Sequence, residues 1–259
     1  MIKGLYTSYT GMINEQHRLD TLANNLANAD TNGYKKEGAT SQAFDDVLAY
    51  KIKDVSEAGN LPRRMGTLNP GVKIGENYLD WSEGPFRETG NTYDLAIAGQ
   101  GFFALEFTSK SGETSVKYSR DGNFAVDSKG NLVTQEGDFV LDSRGAHITV
   151  NPLMETSINR QGQVIQNGRV LATIGVTDFE DYNYIEKYGE NYYQPVDGAK
   201  TKAATYQIYE GYLEQSNVSV VDEMVNMITI QRSYEANQKL ITTFDSTLEI
   251  SANQIGKVN

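Results

Sequence analysis

Apolar residues recur every three or four positions at the start of the chain: Ile2, Leu5, Tyr9, Met12, Leu19, Ala23 and Leu26, with Gln16 the polar step among them. This is a heptad seam, and it predicts one helix over 1–29, about 43 Å long at roughly 1.5 Å per residue. Asn32-Gly33 follows it with residues that tolerate positive φ, as a helix C-terminus often needs. A second helix is predicted over 219–256, about 57 Å long at the same rise. Ser219 and Asp222 are spaced as a capping box, and Asp222 and Glu223 suit the positive end of the helix dipole. Val221, Met224, Val225 and Ile228 form one apolar patch on it; Leu240, Ile241, Phe244, Leu248 and Ile255 form another.

Between the helices the period changes to two. Leu95 to Leu105 is apolar and strand-like, and Phe124, Val126, Leu132, Val133, Phe139 and Leu141 alternate between turn pairs such as Asp121-Gly122 and Arg144-Gly145. That is a meander of short antiparallel strands, continued by His147–Val150, Gln163–Ile165 and Val170–Val176. Leu95, Ile97, Phe102, Phe124 and Phe139 are its expected core. Gly59, Pro62, Gly66, Pro70 and Gly71 break the stretch 36–90, which reads as an extended connecting region.

The expected fold is therefore α+β. Each terminal helix has an apolar stripe and no helical neighbour in sequence, so the two pair as a coiled-coil-like stalk with the antiparallel β-rich domain inserted between them. The divisions are 1–35 and 219–259 for a discontinuous helical domain, 36–90 for the connection and 91–218 for the β-rich domain. Such a stalk leaves half of its apolar surface open, a liability in a monomer and a requirement in a polymer. Gly4 and Gly11 lie seven apart on one helix face, where each costs about 1 kcal/mol against alanine; they mark a place where another helix comes close.

Composition narrows the function. The 259 residues are 39% hydrophobic and carry a formal net charge of -11. The balance is +1 over 1–36, -2 over 219–259 and -10 between. An acidic chain argues against nucleic acid and against anionic lipid as partners. Near-neutral ends can pack against copies of themselves with little repulsion. There is no cysteine, hence no disulfide scaffold or thiolate metal site. No run reaches the roughly 18 apolar residues of a membrane span, and the start lacks the apolar core of a cleaved secretory signal.

Candidate chemistry is sparse. Gly99-Gln-Gly101-Phe-Phe-Ala104 matches the dinucleotide-binding spacing, but that site needs a helix opening after the glycines, and strand residues follow instead. His17 and His147 are the two histidines and fall in different predicted elements, against a zinc site. No Asp-Gly pair has calcium-loop spacing, and no nucleophile elbow occurs. No catalytic, cofactor or metal residue is assigned. Tyr182, Tyr184, Tyr188, Tyr192 and Tyr193 could form a sugar-stacking surface, though half-buried sheet packing is the plainer account.

The remaining puzzle is the amides. Asn24, Asn25, Asn28 and Asn32 crowd the end of the first helix, and Asn14, Thr21 and Asn28 recur every seven residues. A buried amide left unpaired costs roughly 1–3 kcal/mol. Amides meeting across subunits would therefore reject shifted registers.

Four segments carry a resemblance: ANNLANADTNGYK (23–35), DLAIAGQGFFAL (94–105), YSRDGNFAVDSKGNLV (118–133) and YEGYLEQSNVSVVDEMVNMITIQRSYEANQKLI (209–241). Together they resemble the flagellar rod and hook axial proteins, in order and spacing, and the length is that of a rod protein. The GQGFF and SNVSVVDEMVNMI segments are most similar to the distal rod component, with the proximal rod as the alternative. The resemblance implies a non-enzymatic structural subunit of the bacterial flagellar basal body. Its terminal helices would pack with those of other copies into the inner tube of a helical assembly. Its partners would be itself, other rod and hook proteins and the flagellar type III export apparatus, which would carry it out without a cleaved signal. The assembly interface expected from the stripes and amides is Leu5, Tyr9, Met12, Leu19, Asn25, Leu26, Asn28, Met224, Ile228, Ile241, Phe244 and Leu248. A secreted carbohydrate-binding module and a wall-cleaving enzyme that rides with the rod are the rivals; neither explains two long helices without partners.

Overall fold

The computed structural model describes residues 2–51, 63–109, 112–189 and 191–255. Met1, Gly59, Pro62 and residues 256–259, named in the expectations above, lie outside them. The chain divides into two compact units, one made of 1–27, 37–80 and 219–259, the other of 28–36 and 81–218.

The first unit holds the helices. α1 spans Ile2–Ala27 and α2 spans Val220–Ile250, with a π turn over Ser251–Ile255. Ser219 caps α2, its hydroxyl accepting from the Asp222 amide, with Asp222 and Glu223 in the first turn. That end is fixed by the local sequence. The part of 36–90 that belongs to this unit holds, among the described residues, β1 (Glu37–Ala43), β2 (Val47–Lys51), β3 (Arg63–Leu68) and β4 (Val72–Leu79). They form two antiparallel ribbons, β1 with β4 and β2 with β3, so much of the stretch read as an extended connection is hydrogen-bonded ribbon. The first ribbon shifts register between Ala39 and Ser41. Gly71 adopts φ 127° and sits where a Cβ would lie 2.2 Å from Thr10 Oγ1, which lets β4 start against α1.

The second unit is antiparallel β. β5 (Phe86–Glu88), β6 (Leu95–Gly99), β7 (Phe102–Thr108) and β8 (Thr114–Ser119) are followed by the short strands β9 (Phe124–Val126), β10 (Leu132–Thr134) and β11 (Phe139–Val140). β12 (Thr156–Ile158), β13 (Gln163–Gln166) and β14 (Arg169–Thr173) make a separate three-stranded sheet. β15 (Val176–Phe179), β16 (Ile185–Tyr188), β17 (Tyr192–Pro195), β18 (Thr201–Lys202), β19 (Tyr206–Glu210) and β20 (Tyr212–Glu214) complete it. β7 is the hub: it pairs with β8, β11 and β15. β19 returns to pair with β6, and β20 with β5, so the end of the unit closes beside its beginning.

Leu95, Ile97, Phe103, Leu105, Phe124, Leu132 and Ile148 lead the apolar core. Phe102 is equally buried but points the other way along β7, into an aromatic cluster with Trp81, Phe179, Tyr182 and Tyr193. Phe139, expected in the core, does not join it. The period-two pleat gives the buried place to Val140 and leaves Phe139 half-buried, stacked on His147 with ring centroids 4.4 Å apart. Gly99 and Gly101 adopt φ 108° and 134°, and β7 follows them directly. A Cβ on Gly99 would lie 2.6 Å from the Thr205 carbonyl oxygen, so this glycine permits close approach of β6 to the returning chain.

Candidate assembly surface

α1 is amphipathic in an unusual sense: the side it buries within its own unit is polar and small. Ser8, Asn14, Thr21 and Asn25 are its buried residues. Asn14 donates to Ser41 Oγ of β1 (2.9 Å), and Thr21 to the His17 carbonyl (3.1 Å). Asn25 is fully buried and forms a two-way clamp: its Nδ2 donates to the Glu37 carbonyl (2.8 Å), and its Oδ1 accepts from the Glu37 amide (2.9 Å). These amides set register inside the chain, by the unpaired-group penalty expected of a subunit contact. Asn25 therefore has no surface to offer another molecule. Asn28 is half-buried and accepts from Thr31 Oγ1 at 3.2 Å.

Gly4 and Gly11 face α2. A Cβ on Gly4 would lie 2.9 Å from Phe244 Cζ, and one on Gly11 would lie 3.1 Å from Asn237 Nδ2. The numbers run in opposite directions along the two helices, so they pack antiparallel, seven residues to seven. Toward α1, α2 turns Glu223, Met227, Ile230, Tyr234, Asn237, Ile241 and Phe244, all buried or half-buried and spaced by alternating fours and threes.

The apolar residues expected at an interface mostly lie away from that seam. Tyr9 is 48% exposed, and its neighbours Tyr6 and Ile13, which lie off the heptad seam, are 56% and 38% exposed. Leu5, Met12, Leu19 and Leu26 are half-buried. On α2, Val221, Met224, Val225 and Ile228 form one outward stripe with 50% or more of each residue exposed. Leu248 is exposed as well, whereas Ile241 and Phe244 are half-buried on the α1 side. Lone exposed apolar residues are ordinary, but contiguous stripes mark a surface meant to be covered.

The segment 28–36 belongs to the β unit and is anchored there. Gly33 adopts φ 68° and a Cβ on it would lie 2.5 Å from backbone atoms of Arg120 and Asp121; its amide donates to the Glu214 carbonyl (2.8 Å). Tyr34 is fully buried, with the Lys187 ammonium 4.6 Å from its ring centroid. Lys35, also buried, donates to the Ser82 carbonyl (2.7 Å) and to Glu214 Oε1. Glu214 Oε1 further accepts from the Gly84 amide (3.1 Å), and Oε2 from Arg120 Nη1 (3.3 Å). Arg120 also reaches the carbonyls of Ile97 (3.1 Å) and Gly99 (2.7 Å). One carboxylate thus joins three stretches of chain. Burial pushes the Lys35 ammonium below its ordinary pKa, with the Glu214 carboxylate opposing. Sequence reading missed this cluster because Lys35, Arg120 and Glu214 are far apart in the chain and each looks like a surface charge.

Among the described residues no group of three acidic or histidine side chains is placed to hold a metal, and no helix is long and apolar enough to cross a membrane. His147 pairs with Glu106 at 3.2 Å on the surface. Of the tyrosine group, Tyr193 is buried, Tyr182 stacks on Trp81, and Tyr192 donates its hydroxyl toward Glu136 (2.9 Å) and Asp138 (2.8 Å).

Known proteins match across both ends and the middle. The family model for flagella basal body rod proteins matches 5–35, that for the FlgE/F/G D1 domain 96–166, and that for the FlgEFG C-terminal region 209–255. The basal-body rod protein FlgF of Caulobacter vibrioides is 34% identical over the full length of both chains. The basal-body rod protein FlgG of Bacillus subtilis is 33% identical, over 98% of this chain and 99% of its own. FlgG of Buchnera aphidicola from Schizaphis graminum is 31% identical over 96% of this chain and 98% of its own. The chain therefore belongs to the flagellar basal-body rod protein family, and is a structural component of that rod rather than an enzyme.

Proposed function

We propose that this chain builds the tubular rod by self-assembly through α1 and α2, as a component of the distal segment. The observation that carries the reading is the pair of outward apolar stripes, Tyr6, Tyr9 and Ile13 on α1 and Val221, Met224, Val225 and Ile228 on α2. Packed against other copies they bury area worth about 25 cal/mol per Å², before the costs of ordering. The alternating four-and-three spacing on α2 supports a coiled-coil-like pairing of the two helices into one discontinuous helical domain. Leu5, Met12, Leu19 and Leu26, half-buried, and the exposed Leu248 complete the interface; Ile241 and Phe244 support it from the α1 side. The distal assignment rests on the GQGFF and SNVSVVDEMVNMI segments. Export through the flagellar type III apparatus and contact with neighbouring rod and hook proteins complete the role.

The test is sedimentation and electron microscopy of the full chain beside the double variant Met224→Asp/Ile228→Asp. Both sites are exposed, so the variant should keep the native circular dichroism. The native chain is expected to form large oligomers or filaments as concentration rises, and the variant to remain monomeric. Equal polymerisation by both, or a native chain that stays monomeric at all concentrations, would sink the proposal.

A further inference from the structure

The sequence holds two Asn-Gly pairs, Asn32-Gly33 and Asn167-Gly168, and the fold treats them in opposite ways. Asn-Gly is the dipeptide in which the backbone nitrogen of glycine most readily attacks the preceding side-chain amide, because no Cβ stands in its path. At Asn32-Gly33 that nitrogen is held: Gly33 is buried, its N–H donates to the Glu214 carbonyl (2.8 Å), and backbone of Arg120 and Asp121 crowds it. Asn32 itself is tied on both sides, its Oδ1 accepting from Arg87 (3.3 Å) and its carbonyl from Asn191 (2.9 Å). Asn167-Gly168 forms the two-residue turn between β13 and β14. It has φ 50° and 72°, both positive as a type I′ hairpin requires. Both residues are exposed, and nothing lies within 4 Å of where a Cβ on Gly168 would sit. The Asn167 side chain makes a weak contact, from Nδ2 to Met154 Sδ (3.3 Å).

We infer that Asn167 is a site of spontaneous deamidation in the folded protein, whereas Asn32 is protected by the fold. The Gly168 nitrogen bonds to Asn167 Cγ, the Cγ–Nδ2 bond breaks, and the proton from nitrogen leaves with ammonia, giving a cyclic imide. Water then opens the imide. Cleavage at the Cγ–N bond gives aspartate, and cleavage at the main-chain carbonyl carbon gives isoaspartate. Either product adds one negative charge. Isoaspartate also routes the main chain through Cβ, lengthening a turn whose closing pair is Gln166 with Arg169. The altered turn lies beside Met154 and the exposed Val170 and Leu171, so the change marks one edge of the β unit. This inference is independent of how the chain assembles.

The test uses the full native chain, aged at mildly alkaline pH with and without urea, then digested with trypsin and read by mass spectrometry. Cleavage after Arg160 and Arg169 isolates Asn167; cleavage after Arg18 and Lys35 gives the 19–35 peptide, in which fragment ions separate Asn32 from Asn24, Asn25 and Asn28. In the folded chain Asn167 is expected to deamidate at least about tenfold faster than Asn32, since Asn32 must first open. In urea the two rates should converge. Isoaspartyl methyltransferase labelling of the 161–169 peptide identifies the isomer. Equal rates in the folded chain, or loss of Asn32 first, would overturn the inference.

Discussion

Glu214 offers the sharpest test of how the β unit is held together. Replacing it by glutamine preserves its shape and removes its charge. Its two oxygens serve Lys35, Gly84 and Arg120; glutamine keeps one acceptor and turns an NH2 toward the rest. Lys35 and Arg120 are both buried, so each would lose its counter-charge where water cannot replace it. Breaking a buried pair in this way costs about 3–5 kcal/mol, against a typical domain stability of roughly 5–15 kcal/mol. Trp81, the sole tryptophan, packs on Phe102 and Tyr193 in the same unit and reports its unfolding by fluorescence. With a urea slope of roughly 2 kcal/mol per molar, the midpoint should fall by about 2 M. Lys35→Met should cost less, because Glu214 then keeps Arg120 and the Gly84 amide. The sign with pH is also fixed. Lys35 titrates in the folded chain below its ordinary 10.5, so the unfolded chain binds the extra proton, and stability rises with pH up to about 10.5. Glu214→Gln widens that window downward, so the variant should recover part of its loss in alkali. A midpoint shift under about 0.5 M, or a Lys35 variant worse than the Glu214 one, would refute the argument.

The other predictions use the same fluorescence assay unless stated. Gly33→Ala should destabilise by more than the roughly 1–2 kcal/mol of a left-handed residue, because its Cβ would also strike backbone at 2.5 Å. Gly90→Ala, with φ 70° and open space around it, should cost the conformational part alone. Asp121 is held up at about 6 from 3.8, chiefly by burial, so its contribution is full below 3.8 and lost as pH rises through about 6. Unfolding free energy should therefore drop by about 3 kcal/mol over that interval, and Asp121→Asn should remove that part of the pH slope. Asn25→Ala should remove both hydrogen bonds to the Glu37 backbone and lower the stability of the helical unit by about 1–3 kcal/mol, measured by far-ultraviolet circular dichroism.

Period and capping made the elements legible. Both helices lie within a few residues of the stretches their apolar steps marked, and Ser219 starts α2 as its spacing with Asp222 indicated. The glycine bend at Gly99 and Gly101 was readable because strand residues follow it. What pattern could not give was direction. On α1 the apolar seam looked like the inside, yet Asn14, Thr21 and Asn25 are buried there, because ribbon β1–β4 offers polar backbone and Ser41 rather than hydrocarbon. Likewise alternation placed Phe139 in a strand but could not say which of Phe139 and Val140 faces inward. The ribbons within 36–90 were hidden because their pairing is long-range, with Glu37 opposite Leu79. The ion cluster at Glu214 is a product of topology alone.

A helix that keeps its polar residues inside and its hydrocarbon outside has a calorimetric consequence. Burial of apolar surface is what gives folding its large heat-capacity change. For the helical unit, much of that burial is deferred until something covers Tyr6, Tyr9, Ile13 and the Val221 to Ile228 stripe. Melting of the isolated chain should then show a steep, heat-capacity-rich transition from the β unit and a shallow one from the helices. The missing heat capacity should reappear, with negative sign, in the association reaction itself.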